Sequence, residues 1–307
     1  MSALVFSVIV PTFNRPHQVA ACLEALARVD YPKQAFEVIL VGDGDSSDLE
    51  SIVLSFRDRL ALRLVRQARS GPASARNRGV DCAAGRFLAF TDDDCEPDRA
   101  WLRVLEAQLL HSPEHLIGGQ TLNAAPDNPY ACASHSLVDF LYARNNREGQ
   151  AARFFTSNNI AMTTRMFRDV GGFHPGFPLA AAEDRELCDR WLRRGFSLTY
   201  RPDAVVRHTH RMGFRAFCKQ HFRYGRGSFQ HRRLARERGM AVPFEDFGFY
   251  WKLLLWPLGK SPSWKSVRCT CLVALSQLAV ASGYCLQAVS AHPLAPPRAK
   301  LQLPPAG

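Results

Sequence analysis

The first third of the chain alternates short apolar runs with amphipathic or alanine-rich segments. Four near-continuous apolar runs predict strands buried on both faces of a sheet, at residues 6–10, 36–41, 62–65 and 87–90. Three intervening segments predict helices, at residues 16–28, 49–56 and 72–84. This alternation predicts an α/β domain with a mostly parallel central sheet. Ligands of such sheets bind where the strands end, so the loops that follow these runs are the first candidates for a site.

Beyond Thr121 the pattern is less regular, and this half is predicted to form the acceptor side of the site. One helix is clear, running from Glu183 to about Gly195, because acids open it, basic residues close it and the glycine is placed to cap it. Asp184 lies at the start of that helix. The positive end of the helix dipole favours the ionised form of a carboxyl group there, so we expect a carboxylate at neutral pH.

The carboxy-terminal part contains one long stretch without charged side chains, residues 269–290. Its length would span a bilayer, which takes about 20 apolar residues. Several of its polar or small residues share one helical face, however, which favours an amphipathic helix lying on a membrane or packed on the domain. Nearby tryptophan and basic residues suit a membrane interface, namely Trp251, Trp256, Trp264, Lys252, Lys260, Lys265 and Arg268. The last residues, 293–307, are rich in Pro and Ala and are predicted to be disordered.

Composition and charge narrow the class of protein. The chain of 307 residues is 47% hydrophobic, which is enough for a large core, and its formal net charge is +11. The positive charge is concentrated between Arg185 and Arg238 and favours an anionic partner. The nine cysteines include no C-x-x-C pair, so neither a disulfide framework nor a zinc site is indicated and a cytoplasmic location is expected. The first residues lack the features of a secretory signal, so the amino terminus is expected to be mature.

An acidic run, Asp92-Asp93-Asp94, follows the apolar run 87–90 directly. Three adjacent carboxylates repel one another and are costly to bury, so the run favours a cation as partner. On an extended backbone Asp92 and Asp94 would point the same way and offer two oxygen ligands suited to Mg²⁺ or Mn²⁺, ions that bind substrate phosphates. A solvated acidic turn before the next helix is the alternative.

Several motifs, taken in order, resemble family 2 glycosyltransferases of the GT-A fold. They run from Phe6 to Tyr224 and consist of S-V-I-V-P-T-F-N (7–14), V-G-D-G-D-S-S-D (41–48), G-P-A-S-A-R-N-R-G (71–79), the acidic run (92–94), E-D (183–184), P-D-A-V-V-R-H (202–208) and Q-H-F-R-Y (220–224). The second motif departs from the family pattern V-D-D-G-S-x-D, because Gly42 replaces an acid and Asp45 is an inserted residue.

The resemblance implies a fold, a role for each segment of the chain and a set of site residues. It implies a Rossmann-like α/β/α sandwich with a nucleotide-sugar-binding half (1–122), an acceptor and catalytic-base half (123–240) and a helical extension (241–292). Asp184 is implied as the catalytic base. Nucleotide-sugar contacts are implied at Pro11, Thr12, Asn14, Asp43, Arg76, Asn77, Asp92 and Asp93. The acceptor or diphosphate side is assigned to Asn159, Glu183, Arg223 and Arg226, and the metal to Asp94, Asp92 and His208.

The function implied is inverting, metal-dependent transfer of a sugar from a nucleoside diphosphate sugar, with a UDP-sugar favoured, to a glycan or lipid-linked acceptor. A role in cell-surface glycan or polysaccharide synthesis is expected, in the cytoplasm or at the cytoplasmic face of the membrane. Three alternatives stay open at this point: a sugar-nucleotide nucleotidyltransferase, a basic nucleic-acid-binding protein, and a transferase-like protein without activity. The basic segment from Arg211 to Arg238 with interleaved aromatics favours the second, although no nucleic-acid partner is expected.

Overall fold

The computed structural model describes residues 4–44, 48–146, 151–240, 242–260 and 263–290. Within these residues the strands are β1 (Phe6–Thr12), β2 (Phe36–Asp43), β3 (Leu62–Gln67), β4 (Phe87–Phe90), β5 (Cys95–Pro97), β6 (Leu116–Asn123), β7 (Ile160–Thr163) and β8 (Leu198–His208). The α-helices are α1 (Pro16–Ala27), α2 (Leu49–Phe56), α3 (Pro72–Asp81), α4 (Trp101–His111), α5 (Pro129–Asn145), α6 (Thr164–Val170), α7 (Glu183–Arg193), α8 (Phe214–Glu237), α9 (Phe247–Lys260) and α10 (Trp264–Ser290). The predicted disordered tail (293–307) and the inserted Asp45 lie outside the described residues.

One sheet runs through both halves of the domain, in the order β3-β2-β1-β4-β7-β6-β8-β5. Strands β1 to β4 pair in parallel, as the apolar runs predict, and β1 and β2 are buried along their whole length. Strand β7 then runs antiparallel to both β4 and β6, while β6 and β8 pair in parallel. The result is a mixed α/β sheet with a hydrophobic cluster on each face.

The carboxy-terminal helices enclose a third hydrophobic cluster. Side chains of α5, α8, α9 and α10 meet there, among them Phe140, Phe217, Leu253 and Val273. Helix α10 is long and apolar enough to cross a membrane by length and composition, with a mean hydropathy of 1.6, and 17% of that apolar stretch is buried. Its packing partner α8 is a strongly basic helix.

Two glycines bring α8 and α10 into backbone contact. A Cβ atom on Gly225 would lie 1.9 Å from the carbonyl oxygen of Val280, and one on Gly283 would lie 2.0 Å from that of Phe222. No side chain fits at either position, because real Cβ atoms do not approach backbone oxygens so closely. This crossing fixes α10 against the domain, which supports the packed helix of the two arrangements that the sequence left open.

We therefore expect Gly225→Ala to lower the free energy of unfolding by about 1–3 kcal/mol, the usual effect of overpacking. Equilibrium unfolding in urea would measure it. Gly259→Ala, also in a helix but with nothing near its Cβ position, is the matched control and should be neutral or stabilising because alanine favours the helix. Equal stability of the two variants would show that the crossing tolerates separation of the helices.

Candidate active site

The carboxyl ends of β1, β4 and β8 converge on the acidic run. The hydroxyl of Thr12, the last residue of β1, donates to Asp93 Oδ2 at 2.6 Å. The Arg15 guanidinium, just before α1, bridges Asp93 Oδ1 at 3.3 Å and Asp94 Oδ2 at 2.9 Å. Burial and the neighbouring Asp94 raise the pKa of Asp93 to about 6. Arg15 is absent from the sequence-based set of site residues, and its place after the first strand was the available signal.

Asp94 lies between two imidazoles, one on each carboxylate oxygen. His208 Nε2 lies 3.1 Å from Oδ1, and His210 Nδ1 lies 3.1 Å from Oδ2. Burial alone would raise the pKa of Asp94, but the two histidines bring it well below its usual range. Asp94 is therefore a buried carboxylate held in its charged form. Sequence reasoning missed His210, although the pair His208-Thr-His210 at the end of a strand indicates that both rings can reach one site.

The acidic run is a turn rather than an extended strand, which corrects the prediction that Asp92 and Asp94 share one side. Asp93 and Asp94 form the turn that follows β4. As a result Asp94 faces the histidines of β8, whereas Asp92 accepts a hydrogen bond from Arg76 at 2.6 Å. Asp92 is thus held on the α3 side of the site, and Asp94 is the carboxylate that lies beside His208.

Arg76 joins the acidic run to the E-D pair. One terminal nitrogen donates to Asp92 Oδ1 and the other donates to Glu183 Oε1 at 3.1 Å, so a single guanidinium bridges carboxylates from α7 and from the turn after β4. The Arg76 and Glu183 side chains are only 3% and 4% exposed. A buried arginine between two acids offsets a charge that would otherwise be costly to desolvate. This bridge fixes the distance between the two acidic motifs.

Glu183 and Asp184 open α7, Glu183 buried and Asp184 half-buried at the wall of a cavity. Burial raises the pKa of Glu183 to about 7, with a further contribution from the neighbouring Asp184. Burial also raises the pKa of Asp184, although its Oδ1 accepts a hydrogen bond from the Arg185 backbone nitrogen at 2.7 Å. The predicted helix start is confirmed. The predicted effect of the helix dipole on Asp184 is outweighed, because burial acts more strongly in the opposite direction.

The raised pKa of Glu183 predicts a pH dependence of stability. Between its ordinary value of 4.5 and about 7, the folded protein keeps a proton that the unfolded chain releases. Stability contributed by this group therefore falls as pH rises through that window. Glu183→Gln should remove this part of the slope when the free energy of unfolding is measured against pH. An unchanged slope would show that Glu183 ionises normally in the folded protein.

The donor atoms beside Asp94 fit a hard divalent cation. Asp94, Cys95 and His208 each place one ligand atom so that the three lie within 4.8 Å of one another. Burial raises the pKa of the Cys95 thiol well above its ordinary value, and a soft sulfur is in any case a poor match for a hard cation. The donors that remain are a carboxylate oxygen and an imidazole nitrogen, which suit Mg²⁺ or Mn²⁺.

A cavity of about 420 Å³ is bordered by His208 and by residues of both acidic motifs. Its polar end is lined by Arg76, Asp92, Glu183, Asp184, His208 and His210. Helix α8 turns one face toward it, through Gln220, Tyr224 and Ser228. Gln220 and Tyr224 belong to the Q-H-F-R-Y motif and are joined by a hydrogen bond of 2.9 Å. The two acidic motifs, the histidine strand and this helix face thus border one space.

Other residues that the sequence assigns to nucleotide binding are held by contacts within the protein. Asp43 accepts hydrogen bonds from Gln67 Nε2 and from the backbone nitrogens of Ser70 and Gly71, so it organises the loop between β3 and α3. The Asn77 amide exchanges two hydrogen bonds with the backbone of Phe173. Pro11 lies buried in β1, and Asn14 adopts a left-handed backbone conformation in the exposed turn that follows. These contacts shape the loops around the site.

Three residues assigned to the acceptor or diphosphate side lie elsewhere. Asn159 is fully buried, and its amide holds Trp101 and the backbone of β6 and β8 together. Arg226 donates to Gln287 of α10 at 2.7 Å. Within the described residues, neither Arg223 nor Arg226 lines the cavity, because both lie outside the face of α8 that borders it. The sequence shows that these residues are polar or charged. Which face of α8 borders the cavity, however, depends on how α8 packs on α10.

The chain matches known proteins along most of its length. The family model described as "Glycosyl transferase family 2" matches residues 7–171, and a second, "Glycosyl transferase family group 2", matches residues 109–286. Glycosyltransferase AglE of Haloferax volcanii is 28% identical over 233 residues, which is 73% of each chain. A pre-mycofactocin glycosyltransferase of Mycobacterium tuberculosis is 29% identical over 230 residues, or 71% of this chain and 46% of that protein.

Solved structures show the same fold. Mannosyltransferase PcManGT from Pyrobaculum calidifontis, in complex with GDP-Man and Mn²⁺, aligns with a TM-score of 0.63 over 93% of this chain and 86% of its own, at 21% identity. Staphylococcus aureus TarS 1–349 in complex with UDP-GlcNAc aligns with a TM-score of 0.53 over 92% of this chain and 89% of its own, at 19% identity. Because the first family model covers more than half of the 307 residues, the chain belongs to glycosyl transferase family 2.

Proposed function

We propose that this chain transfers a sugar from a nucleoside diphosphate sugar to an acceptor hydroxyl, with inversion at the anomeric carbon and with Mg²⁺ or Mn²⁺ as cofactor. The observation that carries the proposal is the Arg76 bridge. It places the acidic run and the E-D pair on the border of one cavity, so a donor held at the first and a base at the second can act on one sugar.

The residues that would hold the cation are Asp94 and His208, while Asp92 is held by Arg76 on the α3 side of the same cavity. The cation supplies Lewis-acid stabilisation of the negative charge on the departing diphosphate. His210 and Arg15 orient Asp94 from its second oxygen, the kind of support that keeps a ligating carboxylate in one position. We propose that the donor diphosphate lies on this side of the cavity.

Asp184 is proposed as the general base. The acceptor oxygen attacks the anomeric carbon, the bond between that carbon and the diphosphate oxygen breaks, and the hydroxyl proton passes to the Asp184 carboxylate. The burial that raises its pKa makes Asp184 a stronger base than an exposed aspartate. The Arg185 backbone nitrogen holds Oδ1, so the second oxygen is left to face the acceptor.

The donor can be identified by thermal stabilisation of the full chain with Mn²⁺ and UDP, GDP, dTDP or CDP sugars. We propose a UDP-sugar as donor. PcManGT and TarS are seen with GDP-Man and UDP-GlcNAc, respectively, so both bases occur among the structural neighbours. A ligand at 100 times its dissociation constant stabilises a protein by about 2.7 kcal/mol. Lack of stabilisation by every nucleotide sugar would refute a donor site.

We also propose that the protein binds the cytoplasmic face of a membrane without crossing it. The outer face of α9 carries Phe247, Trp251 and Leu255 at helical spacing, and their exposed fractions are 81%, 54% and 42%. Lys252 lies on the same helix, and Trp264 and Lys265 follow at the start of α10. Exposed aromatic and basic side chains together favour an anionic membrane surface.

Co-sedimentation with vesicles would test this surface. The variant Phe247→Ser with Trp251→Ser should weaken binding to phosphatidylglycerol vesicles at least about tenfold, since burying one such side chain contributes ~1.5–3 kcal/mol. Leu54→Ser, on the exposed side of α2, is the control. Equal binding of variant and control would place the membrane contact elsewhere or exclude it.

A further inference from the structure

The lining of the cavity extends from the catalytic groups to residues of four helices, α5, α8, α9 and α10. Past Asp184, α5 contributes Leu137 and Val138, α9 contributes Phe249 and Leu253, and α10 contributes Val280. These five side chains are apolar, whereas Ser134 and His135 of α5 and Gln277 of α10 add polar groups to the same lining. We refer to this part of the cavity, bounded by those five residues, as the apolar arm.

The carboxy-terminal helices are therefore part of the site. Phe249 and Leu253, one turn apart on α9, face the arm, and they are only 7% and 1% exposed. The opposite stripe of the same helix is the exposed outer face with Phe247 and Trp251. Helix α9 thus separates two apolar environments, the interior arm and the outer surface. A helix with a polar outer face would be expected if it served only to cover the core.

The mouth of the arm is marked by polar contacts. Glu245, just before α9, forms an ion pair with Arg144 of α5 at 3.0 Å, and both side chains are over 40% exposed. Next to it the Arg232 guanidinium lies 4.0 Å from the centre of the Phe244 ring. Arg144 and Glu245 are exposed to solvent, Arg232 is half-buried, and Phe249 and Leu253 of the lining are buried. The arrangement is an apolar slot with a charged rim.

From this arrangement we propose that the apolar arm binds the hydrocarbon portion of an amphiphilic acceptor, and that the acceptor hydroxyl then lies at Asp184. The inference rests on the proposed transfer function and selects lipid-linked acceptors from the two acceptor classes left open. A free sugar presents hydroxyl groups on all sides, and those that faced the five apolar side chains would have no hydrogen-bond partner there. An alkyl or polyprenyl chain instead gains by leaving water.

The position of the arm also fits the proposed membrane contact. Its mouth lies beside the start of α9, next to the outer face that carries Phe247. An acceptor anchored in a bilayer could enter the arm at this edge without fully leaving the apolar phase. The two stripes of α9 would then serve one substrate, the outer stripe by holding the membrane and the inner stripe by holding the acceptor chain.

Titration calorimetry of the full chain with octyl β-glucoside, below its micelle concentration, tests the proposal, with methyl β-glucoside as the matched probe. Each buried methylene is expected to strengthen binding about fourfold, so the octyl compound should bind at least ~100-fold more tightly. Val138→Trp, which fills the arm from α5, should abolish that advantage. Leu54→Trp on α2 adds the same side chain far from the cavity and should preserve it.

The outcomes separate the two proposals. Equal binding of the two glucosides, or octyl binding that persists in Val138→Trp, overturns the apolar arm as an acceptor site. UDP with Mn²⁺ should stabilise the wild type and Val138→Trp equally, because the donor end of the cavity is unchanged. If that stabilisation is seen while the octyl advantage is absent, the lipid inference fails and the transferase function stands. If no nucleotide stabilises either protein, the proposed transferase function is refuted, and the lipid inference that rests on it is refuted as well.

Discussion

Asp184→Asn lowers the rate of sugar transfer by about 10²- to 10⁴-fold while leaving donor binding unchanged, if Asp184 is the general base. The amide has nearly the same shape as the carboxylate, and its oxygen can still accept the hydrogen bond from the Arg185 backbone nitrogen. What it loses is the ability to take a proton from the acceptor. Turnover with a saturating donor, together with the dissociation constant of the nucleotide and Mn²⁺, measures the two effects separately.

Asp81→Asn is the matched control, because Asp81 lies exposed at the end of α3. It should leave both rate and affinity unchanged. Near-normal turnover of Asp184→Asn would overturn the base assignment. A loss of donor binding in the same variant would instead mean that Asp184 belongs to the nucleotide side of the cavity.

Arg76→Met lowers the free energy of unfolding by about 3–5 kcal/mol, the usual result of removing one partner from a buried ion pair. The methionine fills similar space, but Glu183 and Asp92 lose their shared guanidinium. Glu183 has a pKa of about 7 already and can take up a proton, so the destabilisation should be smaller at pH 6 than at pH 8. Urea unfolding at both pH values measures it.

Two further variants make the interpretation specific. Arg78→Met changes the neighbouring exposed arginine of α3 and should have little effect. Adding Glu183→Gln to Arg76→Met removes one of the two unpaired acids and should recover part of the lost stability. Absence of any recovery would indicate that Arg76 acts through its packing on Phe173, whose ring centre lies 5.4 Å from the guanidinium carbon, rather than through the acids.

The first half of the fold could be predicted from sequence because its signals are local. Apolar runs flanked by turns gave β1 to β4, and the predicted helix at 49–56 agrees with α2 at both ends. Family membership, the α/β class and the glycosyltransferase type of enzyme are likewise confirmed by the matching family models. The assignments of individual site residues and of the three segments remain predictions, which the experiments above address.

The rest depends on contacts between distant residues. Nothing in the acidic run itself shows that Asp93 and Asp94 turn toward β8, because the partners Arg15 and His210 lie 79 and 116 positions away from Asp94. The antiparallel strand β7 is only four residues long and carries no clear alternation. The face that α8 turns to the cavity is set by the glycine contact with α10, which becomes visible only once the two helices are docked.

The glycine crossing between α8 and α10 has a consequence for how shortened forms of the protein would behave. A shortened protein that ends after α9 would lack Val273, which would expose the residues of the third hydrophobic cluster that pack against it. It would also lack Val280 of the cavity lining. Such a product is expected to aggregate through the uncovered apolar residues, and its sedimentation would be mistaken for attachment to a membrane. Single surface changes on the intact polypeptide are therefore the sound route to separating attachment from turnover.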